Sequence, residues 1–392
     1  MRILISFWRP RYAAVLIWIC VLNGLADGAT QPRYLLTNDD AILSNSSTFY
    51  SIGPDGLLHL DQQVLTGGVG IAGGYFSTER VALLDDTTQQ CVYASDAFTG
   101  DIVGINMNTF TVGGSASGSP TDSGNANGIG LAANDQYLYA GFTTSNTIAT
   151  FQVEPGCSLT FVNDISVAGL QGGFIGGMAL HGNIMVVTYG DGSIESFDIS
   201  SGTPVSNGDE QNSTGYSKSQ GASYPDSVEI TKDGRYALFG DTSTSMVVEV
   251  SEIGPGRLGK TSVYTLGPAI NSSNILLSPD ESLLYISNTE GDTISAAFFD
   301  SSTGKLSAGC TSGTLRGYGP SWSYAGELAV GSNTGTGGII YVAEFGPTSS
   351  IGMIAVGSNG AACTLNEMSQ SPVSDANSPG LLSIGSFPPR SF

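Results

Sequence analysis

The sequence is short of basic residues, and this scarcity excludes several kinds of partner. Of 392 residues, 13 are lysine or arginine and 34 are aspartate or glutamate, so the formal net charge at pH 7 is −21. A surface of this sign repels nucleic acid and anionic membranes. It also disfavours an anionic substrate, unless a local arginine or lysine offsets the field.

The motifs of several common enzyme classes are missing too. The chain has no Gly-x-Ser-x-Gly, no His-Glu-x-x-His and no phosphate-binding loop, which argues against flavin, nicotinamide and nucleotide cofactors. No Cys-x-x-Cys pair is present to suggest zinc. The two histidines, His59 and His181, stand where we expect surface or structural roles. We therefore expect an enzyme without a cofactor, if it is an enzyme.

Long apolar and helical segments are also lacking. No segment after residue 30 carries an apolar stripe at helical spacing over three turns, which predicts an all-β chain. The run Ala13–Leu22 is too short to span a bilayer, follows three arginines and precedes small residues. Residues 1–28 therefore resemble a cleaved signal peptide, with an uncleaved anchor as the alternative. Cleavage after residue 28 would remove three basic residues and one acidic residue, Asp27, changing the net charge from −21 to −23.

Cysteine usage fits the secreted, extracellular location that a signal peptide implies. Four cysteines remain after Cys20 is removed, and an even number suits an oxidising compartment. Sequence neighbourhood favours pairing Cys91 with Cys157 and Cys310 with Cys363, and free buried thiols are the alternative. The same compartment would permit glycosylation at three sequons, which begin at Asn45, Asn212 and Asn271.

The sequence does contain one motif that is repeated six times. Each copy has a turn rich in Asp, Gly or Asn, an apolar run ending near a tyrosine, a polar turn and a second β-rich run. The register marks, 46 to 56 residues apart, are Tyr93, Tyr139, Val187, Leu238, Tyr285 and Tyr341. Strand-like repeats of about this length are typical of propeller blades. A weaker copy within residues 48–60 makes seven.

These repeats predict the domain organisation. We expect a single seven-bladed β-propeller of four-stranded antiparallel blades over residues 45–392, preceded by a lead-in segment over residues 29–44. A lone blade cannot bury both of its faces, so the blades must stack around an axis. We expect the protein to be monomeric and, after cleavage, free of the membrane.

The ligand face of such a fold can be located from the repeat. Residues entering the innermost strand and residues between the second and third strands surround the axis at one end, which is the usual ligand site. The strand entries give the catalytic candidates Glu79, Arg80 and Asp226. They also give the substrate-binding candidates Asn127, Tyr224, Asn274, Trp322 and Tyr324. The turns add Asp96, Asp191, Asp241, Asn288, Glu290 and Glu344, which could equally cap their own turns.

Two sequence segments, Val228–Ala237 and Leu276–Asn288, resemble the secreted fungal branch of the lactonase-like seven-bladed propellers. That family includes carboxymuconate cyclases and sugar-lactone hydrolases, and the resemblance covers roughly residues 45 to 385. It implies a metal-independent site where a histidine, a glutamate and arginines bind carboxylates and move a proton. Glu79 and Arg80 match the proton-transfer group and the carboxylate clamp. Where related sequences tend to carry histidine, this chain has Tyr224-Pro-Asp226.

Three functions are compatible with these observations. The first is a lactonase or cycloisomerase acting on a small organic acid or lactone, with Glu79 or Asp226 carrying the proton and Arg80 binding a carboxylate or oxyanion. The second is a Ca²⁺-dependent lactone hydrolase with oxygen ligands from Glu79, Asn127, Asp226 and Asn274. The third is a non-enzymatic extracellular propeller that binds a glycan or protein, as a secreted or cell-surface antigen.

Overall fold

The computed structural model confirms the predicted fold, a seven-bladed β-propeller in which each blade is an antiparallel sheet built on four strand positions. The structure describes residues 33–73, 80–86, 88–117, 128–212, 227–242, 246–268, 272–317, 324–332, 337–346, 349–381 and 383–389. In the described chain, helix is confined to short turns such as the 3₁₀ helix Thr289–Gly291. None of the described residues belongs to a helix long and apolar enough to cross a membrane.

The first blade joins the two ends of the chain and is called the closing blade. From the axis outward it consists of β30 (Ser383–Phe387), β1 (Tyr34–Asn38), β2 (Ser46–Ile52) and β3 (Leu58–Leu65). Its innermost strand therefore comes from the C-terminal end and its other strands from the N-terminal end. The segment 29–44, expected as a lead-in, supplies β1 of this blade.

Blades 2 to 4 follow in chain order, each running from the axis outward. Blade 2 consists of β4 (Val81–Asp85), β5 (Gln90–Asp96), β6 (Asp101–Asn106) and β7 (Thr111–Ser117). Blade 3 consists of β8 (Ile129–Ala133), β9 (Tyr137–Phe142), β10 (Thr147–Glu154) and β11 (Ser158–Ser166). Blade 4 consists of β12 (Ile175–His181), β13 (Ile184–Tyr189), β14 (Ser193–Asp198) and an outer edge split into β15 (Val205–Ser206) and β16 (Gln211–Asn212).

Blades 5 to 7 complete the ring. Blade 5 consists of β17 (Val228–Ile230), β18 (Tyr236–Thr242), β19 (Met246–Gly254) and β20 (Arg257–Gly267). Blade 6 consists of β21 (Ser272–Leu277), β22 (Leu283–Asn288), β23 (Thr293–Asp300) and β24 (Lys305–Thr311). Blade 7 consists of β25 (Tyr324–Ser332), β26 (Gly337–Phe345), β27 (Ser350–Ser358) and an outer edge split into β28 (Cys363–Glu367) and β29 (Val373–Ser374).

The innermost strands form a continuous ring around the axis. Strand β30 contacts β4, β4 contacts β8, and the contacts continue through β12, β17, β21 and β25 back to β30. We call the space that these seven strands enclose the hub. The upper face is the end where each innermost strand begins and where the second strand turns into the third. The lower face is the opposite end, with the turns between first and second and between third and fourth strands.

The core is distributed between the blades and not gathered at one centre. Among the described residues, seven apolar clusters occur, and each is built from two neighbouring blades, so that every interface of the ring has one. Successive residues of a strand point to opposite faces, so each sheet contributes to the clusters on both of its sides. The six register marks of the repeat all lie on second strands and are buried, which confirms the predicted period.

Two disulfides reinforce neighbouring blades, as predicted. Cys91 of blade 2 is bonded to Cys157 of blade 3, and Cys310 of blade 6 to Cys363 of blade 7. The first pair requires a close backbone approach, because a Cβ built on Gly104 would stand 1.7 Å from the carbonyl oxygen of Cys157. Glycine at position 104 is therefore dictated by packing.

Asn45, which begins one of the three permitted sequons, is not accessible to a glycan in the folded structure. Asn45 is fully buried, and its Nδ2 donates hydrogen bonds to Asn38 Oδ1 at 2.9 Å and to Asp96 Oδ1 at 2.7 Å. A glycosylated nitrogen could neither make these bonds nor reach solvent. The side chain of Asn212 and the residue Asn271 lie outside the described part of the chain.

The closing strand is expected to be required for stability. Phe387 of β30 is fully buried in the cluster between the closing blade and blade 2. Phe387→Ala should lower the free energy of unfolding by about 3–5 kcal/mol, because it leaves a cavity in that cluster. Urea denaturation should detect the change. Phe98, which is 52% exposed, offers the control, since Phe98→Ala should stay within about 0.5 kcal/mol of the parent. Equal losses in both variants would contradict this role.

Candidate functional site

The structure describes part of the predicted site. Arg80 precedes β4 and Asn274 lies in β21, both at the entry to an innermost strand, where the repeat placed them. Tyr324 begins β25, but its side chain is outside the described residues. The remaining predicted site residues are also outside the described residues, namely Glu79, Asp226, Asn127, Tyr224 and Trp322.

Arg80 forms a buried ion pair. Its Nη1 lies 2.7 Å from Asp40 Oδ2, and both side chains are 1% exposed. Asp40 belongs to the turn between β1 and β2, and its carboxylate also accepts hydrogen bonds from the backbone N–H groups of Ile71 and Gly73, each 2.9 Å long. The pair therefore ties the closing blade to the entry of blade 2. Its burial also means that the charge of Arg80 is compensated inside the protein.

Beside this pair, Glu327 of β25 faces the hub. Ser383 Oγ donates a hydrogen bond to Glu327 Oε2, and the backbone N–H of Ile384 donates to the same oxygen at 3.0 Å. The backbone N–H of Arg80 in turn donates to Ser383 Oγ at 2.9 Å. Three innermost strands or their entries, from blade 2, blade 7 and the closing blade, thus meet at one carboxyl group.

The pKa of Glu327 is raised to about 8. Burial disfavours the charged form and is the main cause, the hydrogen bonds from Ser383 and Ile384 oppose it, and the negative charge of Glu229 on β17 adds to it. The positive charge of Arg80 also acts in the opposite direction, without cancelling the rise. A carboxyl group with a pKa near neutrality can both accept and release a proton under physiological conditions.

Local irregularities in the innermost strands help to aim these side chains. Register shifts occur between Ala325 and Leu328 in β25, between Ser272 and Asn274 in β21, and across Ile175 to Met178 in β12. Each shift lies near the upper end of its strand. Such bulges turn side chains away from the regular alternation and are common beside active sites.

Asn274 is buried, 3% exposed, and the backbone N–H of its neighbour Ile275 donates a hydrogen bond to Ser227 Oγ, 2.9 Å long. This contact joins the innermost strand of blade 6 to the entry of blade 5. Asn274 thus lies near the start of its innermost strand, at the upper end of the hub.

Buried carboxyl groups continue outward across the upper face. Asp39 and Asp375 are both buried next to each other, and Asp39 accepts hydrogen bonds from the hydroxyls of Thr37, Ser46 and Thr48. Burial, followed by the negative charge of Asp39, raises the pKa of Asp375 to about 7, and burial raises the pKa of Asp39 as well. When two buried acids interact in this way, the state in which one of them stays protonated is favoured over the state in which both are ionised.

The predicted turn carboxylates whose side chains the structure describes divide into two groups, and the side chains of Asp241 and Glu290 lie outside the described part. Burial raises the pKa of Asp96 to about 6 and the pKa of Glu344 to about 7. For Asp191, burial is outweighed by hydrogen bonds from Ser193 and from the backbone N–H groups of Gln171 and Gly173, so its pKa is lowered. Asp191 therefore caps its own turn and the neighbouring loop, which was the alternative interpretation for this set.

The described residues include no group of three or more His, Cys, Asp or Glu side chains arranged to hold a metal ion. The predicted calcium ligands are not tested by this finding, because Glu79, Asn127 and Asp226 lie outside the described residues.

Sequence reasoning did not find Glu327, Glu229, Ser383 or Asp40. A signal for the first two is visible in retrospect, since Glu229 stands between Val228 and Ile230, and Glu327 follows Ala325-Gly326 and precedes Leu328. A single carboxylate among apolar or small residues on an innermost strand is unusual, because that strand is covered on both faces. No comparable signal marks Asp40 or Ser383.

Because several buried carboxyl groups have raised pKa values, stability should fall as pH rises. Between the ordinary carboxyl pKa near 4 and the folded values of about 6 to 8, the folded state binds more protons than the unfolded state. The melting temperature should be higher at pH 5 than at pH 8.5, with a loss of at least a few kcal/mol, since one pKa unit corresponds to about 1.4 kcal/mol.

Calorimetry at a series of pH values tests this, with two variants as internal checks. Glu344→Gln should flatten the dependence, since it removes one titrating group, whereas Glu252→Gln should leave it unchanged because Glu252 is exposed. A protein equally or more stable at pH 8.5 would show that these carboxyls ionise freely in the folded state.

Several solved structures share this architecture. A functionally unknown protein from Desulfotomaculum acetoxidans is 15% identical, with a TM-score of 0.65 over 91% of this chain and 99% of that one. A putative 6-phosphogluconolactonase from Bacteroides fragilis is 14% identical, with a TM-score of 0.54 over 70% and 79% of the two chains. The periplasmic gluconolactonase of Pseudomonas aeruginosa is 14% identical, with a TM-score of 0.52 over 70% and 80%. At such identities the likeness concerns the fold alone.

No curated protein sequence matches the chain significantly. A family model does, and it is described as "Lactonase, 7-bladed beta-propeller". The match extends over residues 104–372, from blade 2 to the last blade, which is more than half of the chain. The repeat, the seven blades and this match together place the chain in the lactonase family of seven-bladed β-propellers.

Proposed function

We propose that the protein hydrolyses a small, uncharged lactone at the upper end of the hub, with Glu327 as the proton-transfer group. The observation that carries the proposal is the position of Glu327, which is a carboxyl group with a raised pKa, held by two hydrogen bonds and facing the hub of a lactonase-family propeller. Perturbed carboxyl groups in a concave site are typical of acid–base catalysts.

The reaction needs one proton carrier and a water molecule. Ionised Glu327 takes a proton from water while the water oxygen bonds to the lactone carbonyl carbon. The ring C–O bond then breaks, and the ring oxygen takes the proton back from Glu327 to become a hydroxyl group. The product is the open hydroxy acid. No oxidant or further reactant is required.

The surroundings of Glu327 suit this role. Both of its hydrogen bonds from Ser383 and Ile384 fall on Oε2, so we assign proton transfer to Oε1. A base with a pKa of about 8 is stronger than an ordinary carboxylate, and efficiency increases with basicity as long as the ionised form is populated. Arg80 has a positioning role in this proposal, because its backbone N–H holds Ser383 and its guanidinium is engaged by Asp40.

Charge supports an uncharged substrate. Among the described residues of the upper face, the arginines are Arg80 and Arg316, and each is paired, with Asp40 and with Glu367 respectively. Glu229 and Glu327 add negative charge near the hub. A phosphorylated or multiply carboxylated substrate would need unpaired cations that this arrangement does not offer.

The earlier candidates remain within this proposal. Glu79 and Asp226 directly precede Arg80 and Ser227 in the sequence, and we keep them as candidates for a second proton carrier. We also propose that the protein is secreted, which two disulfides in one chain favour, because such bonds persist in oxidising compartments.

The role of Glu327 is tested by kinetics on a lactone panel. Glu327→Gln should lower kcat/KM by at least about 100-fold, because it removes the proton carrier and keeps the shape. In the parent protein kcat/KM should rise with pH through about 8, since the ionised form is the active one. Glu252→Gln is the matched surface control.

A loss confined to Glu79→Gln or Asp226→Asn, with Glu327→Gln active, would transfer the catalytic role to those residues. Complete inactivity of the parent towards every lactone would remove the proposal and favour a non-enzymatic binding role.

The preference for uncharged substrates is tested with one sugar lactone and its phosphate ester. The uncharged lactone should show a kcat/KM at least about tenfold higher, because the acidic groups near the hub repel the ester and both arginines described on the upper face are paired. Added salt should reduce this difference in kcat/KM, because it screens the repulsion between the ester and the acidic groups. A preference for the ester at low salt would contradict the charge argument.

A further inference from the structure

The lower face carries a cavity between blades 4 and 5, on the opposite side of the ring from the hub site. Its volume is about 590 Å³, within the range of ligand pockets in proteins. Polar side chains from two blades surround it, among them His181, Asn183, Asp198, Asn207 and Asp233, over an apolar floor formed in part by Ile184 and Ile253.

A comparison of the repeats explains why the cavity exists. In several blades the first residue of the second strand packs against a glycine in the outer turn of the next blade. A Cβ on Gly202 would stand 2.5 Å from the ring of Tyr137, and a Cβ on Gly304 would stand 2.5 Å from the ring of Tyr236. Ile339 fills the same place against Gly56, where the distance would be 1.9 Å.

Blade 4 departs from this arrangement. Its second strand begins with Ile184, where blades 3 and 5 begin with tyrosine, and the equivalent glycine of blade 5, Gly256, has no atom within 4 Å of a built Cβ. Gly256 shares the left-handed backbone of Gly202, with φ of +73° and +86°. The turn conformation thus recurs between the repeats, but Ile184 does not reach Gly256 in the way that Ile339 reaches Gly56.

The other interfaces of the ring are closed in different ways. Tyr34 and Phe110 stack edge to face between the closing blade and blade 2, with ring centroids 5.5 Å apart. The disulfides Cys91–Cys157 and Cys310–Cys363 join blades 2 and 3 and blades 6 and 7. Among the described residues, no disulfide joins blades 4 and 5. The ring of His181 packs against Gly234 in the inner turn of blade 5, where a Cβ would stand 2.5 Å from it, and the outer turn at Gly256 is left uncovered.

The chemistry of the lining indicates the ligand. Asp198 and Asn183 are exposed; the carboxylate accepts hydrogen bonds from hydroxyl groups, and the amide can donate to them as well as accept from them. His181 is held by a hydrogen bond between its Nε2 and the carbonyl oxygen of Lys232, 2.9 Å long, so its ring is a fixed surface for an apolar face of a ligand. The guanidinium of Arg235 is turned away, towards Asp233 and the carbonyl of Ser301.

We propose that this cavity binds an uncharged saccharide of one or two sugar rings. Such a ligand offers many hydroxyl groups to the amide and carboxylate side chains and C–H faces to the isoleucines and the imidazole. An anion would be repelled by Asp198. The described residues show no grouping of ligands suitable for a metal ion, so a cation-bridged sugar is not part of the proposal.

The test uses the folded full-length protein and a panel of neutral and uronic-acid mono- and oligosaccharides, with binding measured by calorimetry. At least one neutral sugar should bind, and Ile184→Tyr should lower its affinity at least tenfold, since it restores the ring present in blades 3 and 5. Asn183→Trp should have the same effect. Gln136→Trp is the matched control, because Gln136 occupies the same turn of blade 3 and its carbonyl accepts from Val153 as that of Asn183 does from Ile199.

Unchanged melting temperatures would show that the variants fold. If Ile184→Tyr does not fold, Asn183→Trp still provides an independent test of the cavity. Absence of binding at millimolar neutral sugar would overturn the proposal. Binding that survives both cavity variants, or binding restricted to the uronic acids, would overturn it as well. The proposed lactonase activity should be unaffected by these changes, because its site lies at the upper end of the hub and the cavity lies on the lower face.

Discussion

The coverage of each blade by its two neighbours is the constraint on which this structure depends. A four-stranded sheet with apolar side chains on both faces is stable in water only between two others, and the ring satisfies this for all seven at once. The ring therefore has to close, and the chain closes it by placing β30 from its C-terminal end beside β1 from its N-terminal end. The ion pair of Arg80 and Asp40 and the hydrogen bonds around Ser383 lie at this junction.

The same junction gives the candidate catalytic group its environment. Glu327 is held by Ser383 and Ile384 of the closing strand and feels the charge of Arg80 from blade 2. Its raised pKa is thus a consequence of ring closure, since an open ring would leave the carboxyl group in water with an ordinary pKa. Stability and proposed activity are linked here, because the protonated form favours folding and the ionised form is the base that the proposed reaction uses. Such a trade-off between stability and activity is common at sites where function requires a charge that burial disfavours.

The repeat made most of the fold predictable from the sequence. The register marks and the number of blades follow from a pattern that recurs every fifty residues or so, the disulfide pairing follows from sequence neighbourhood, and the structure confirms all three. The site was less predictable for a physical reason. Asp40, Ser383 and Glu327 are more than 40 residues apart in sequence and meet because the ring brings three blades together at the hub. The glycosylation sequon at Asn45 failed similarly, since a local triplet carries no information about the burial that Asn38 and Asp96 impose on it.

In a repeat architecture, agreement between the copies accounts for packing, and departures from it require another explanation. The tyrosines at the register marks agree and are buried. Glu327 departs, as a carboxyl group on a strand that is otherwise small and apolar, and it meets the hub. Ile184 departs, as an aliphatic residue where two other blades have a tyrosine, and it leaves a cavity. Both departures weaken the local packing or raise the cost of burial, so neither is explained by stability. The two positions lie on opposite faces of the ring, so the two proposed ligand sites do not overlap.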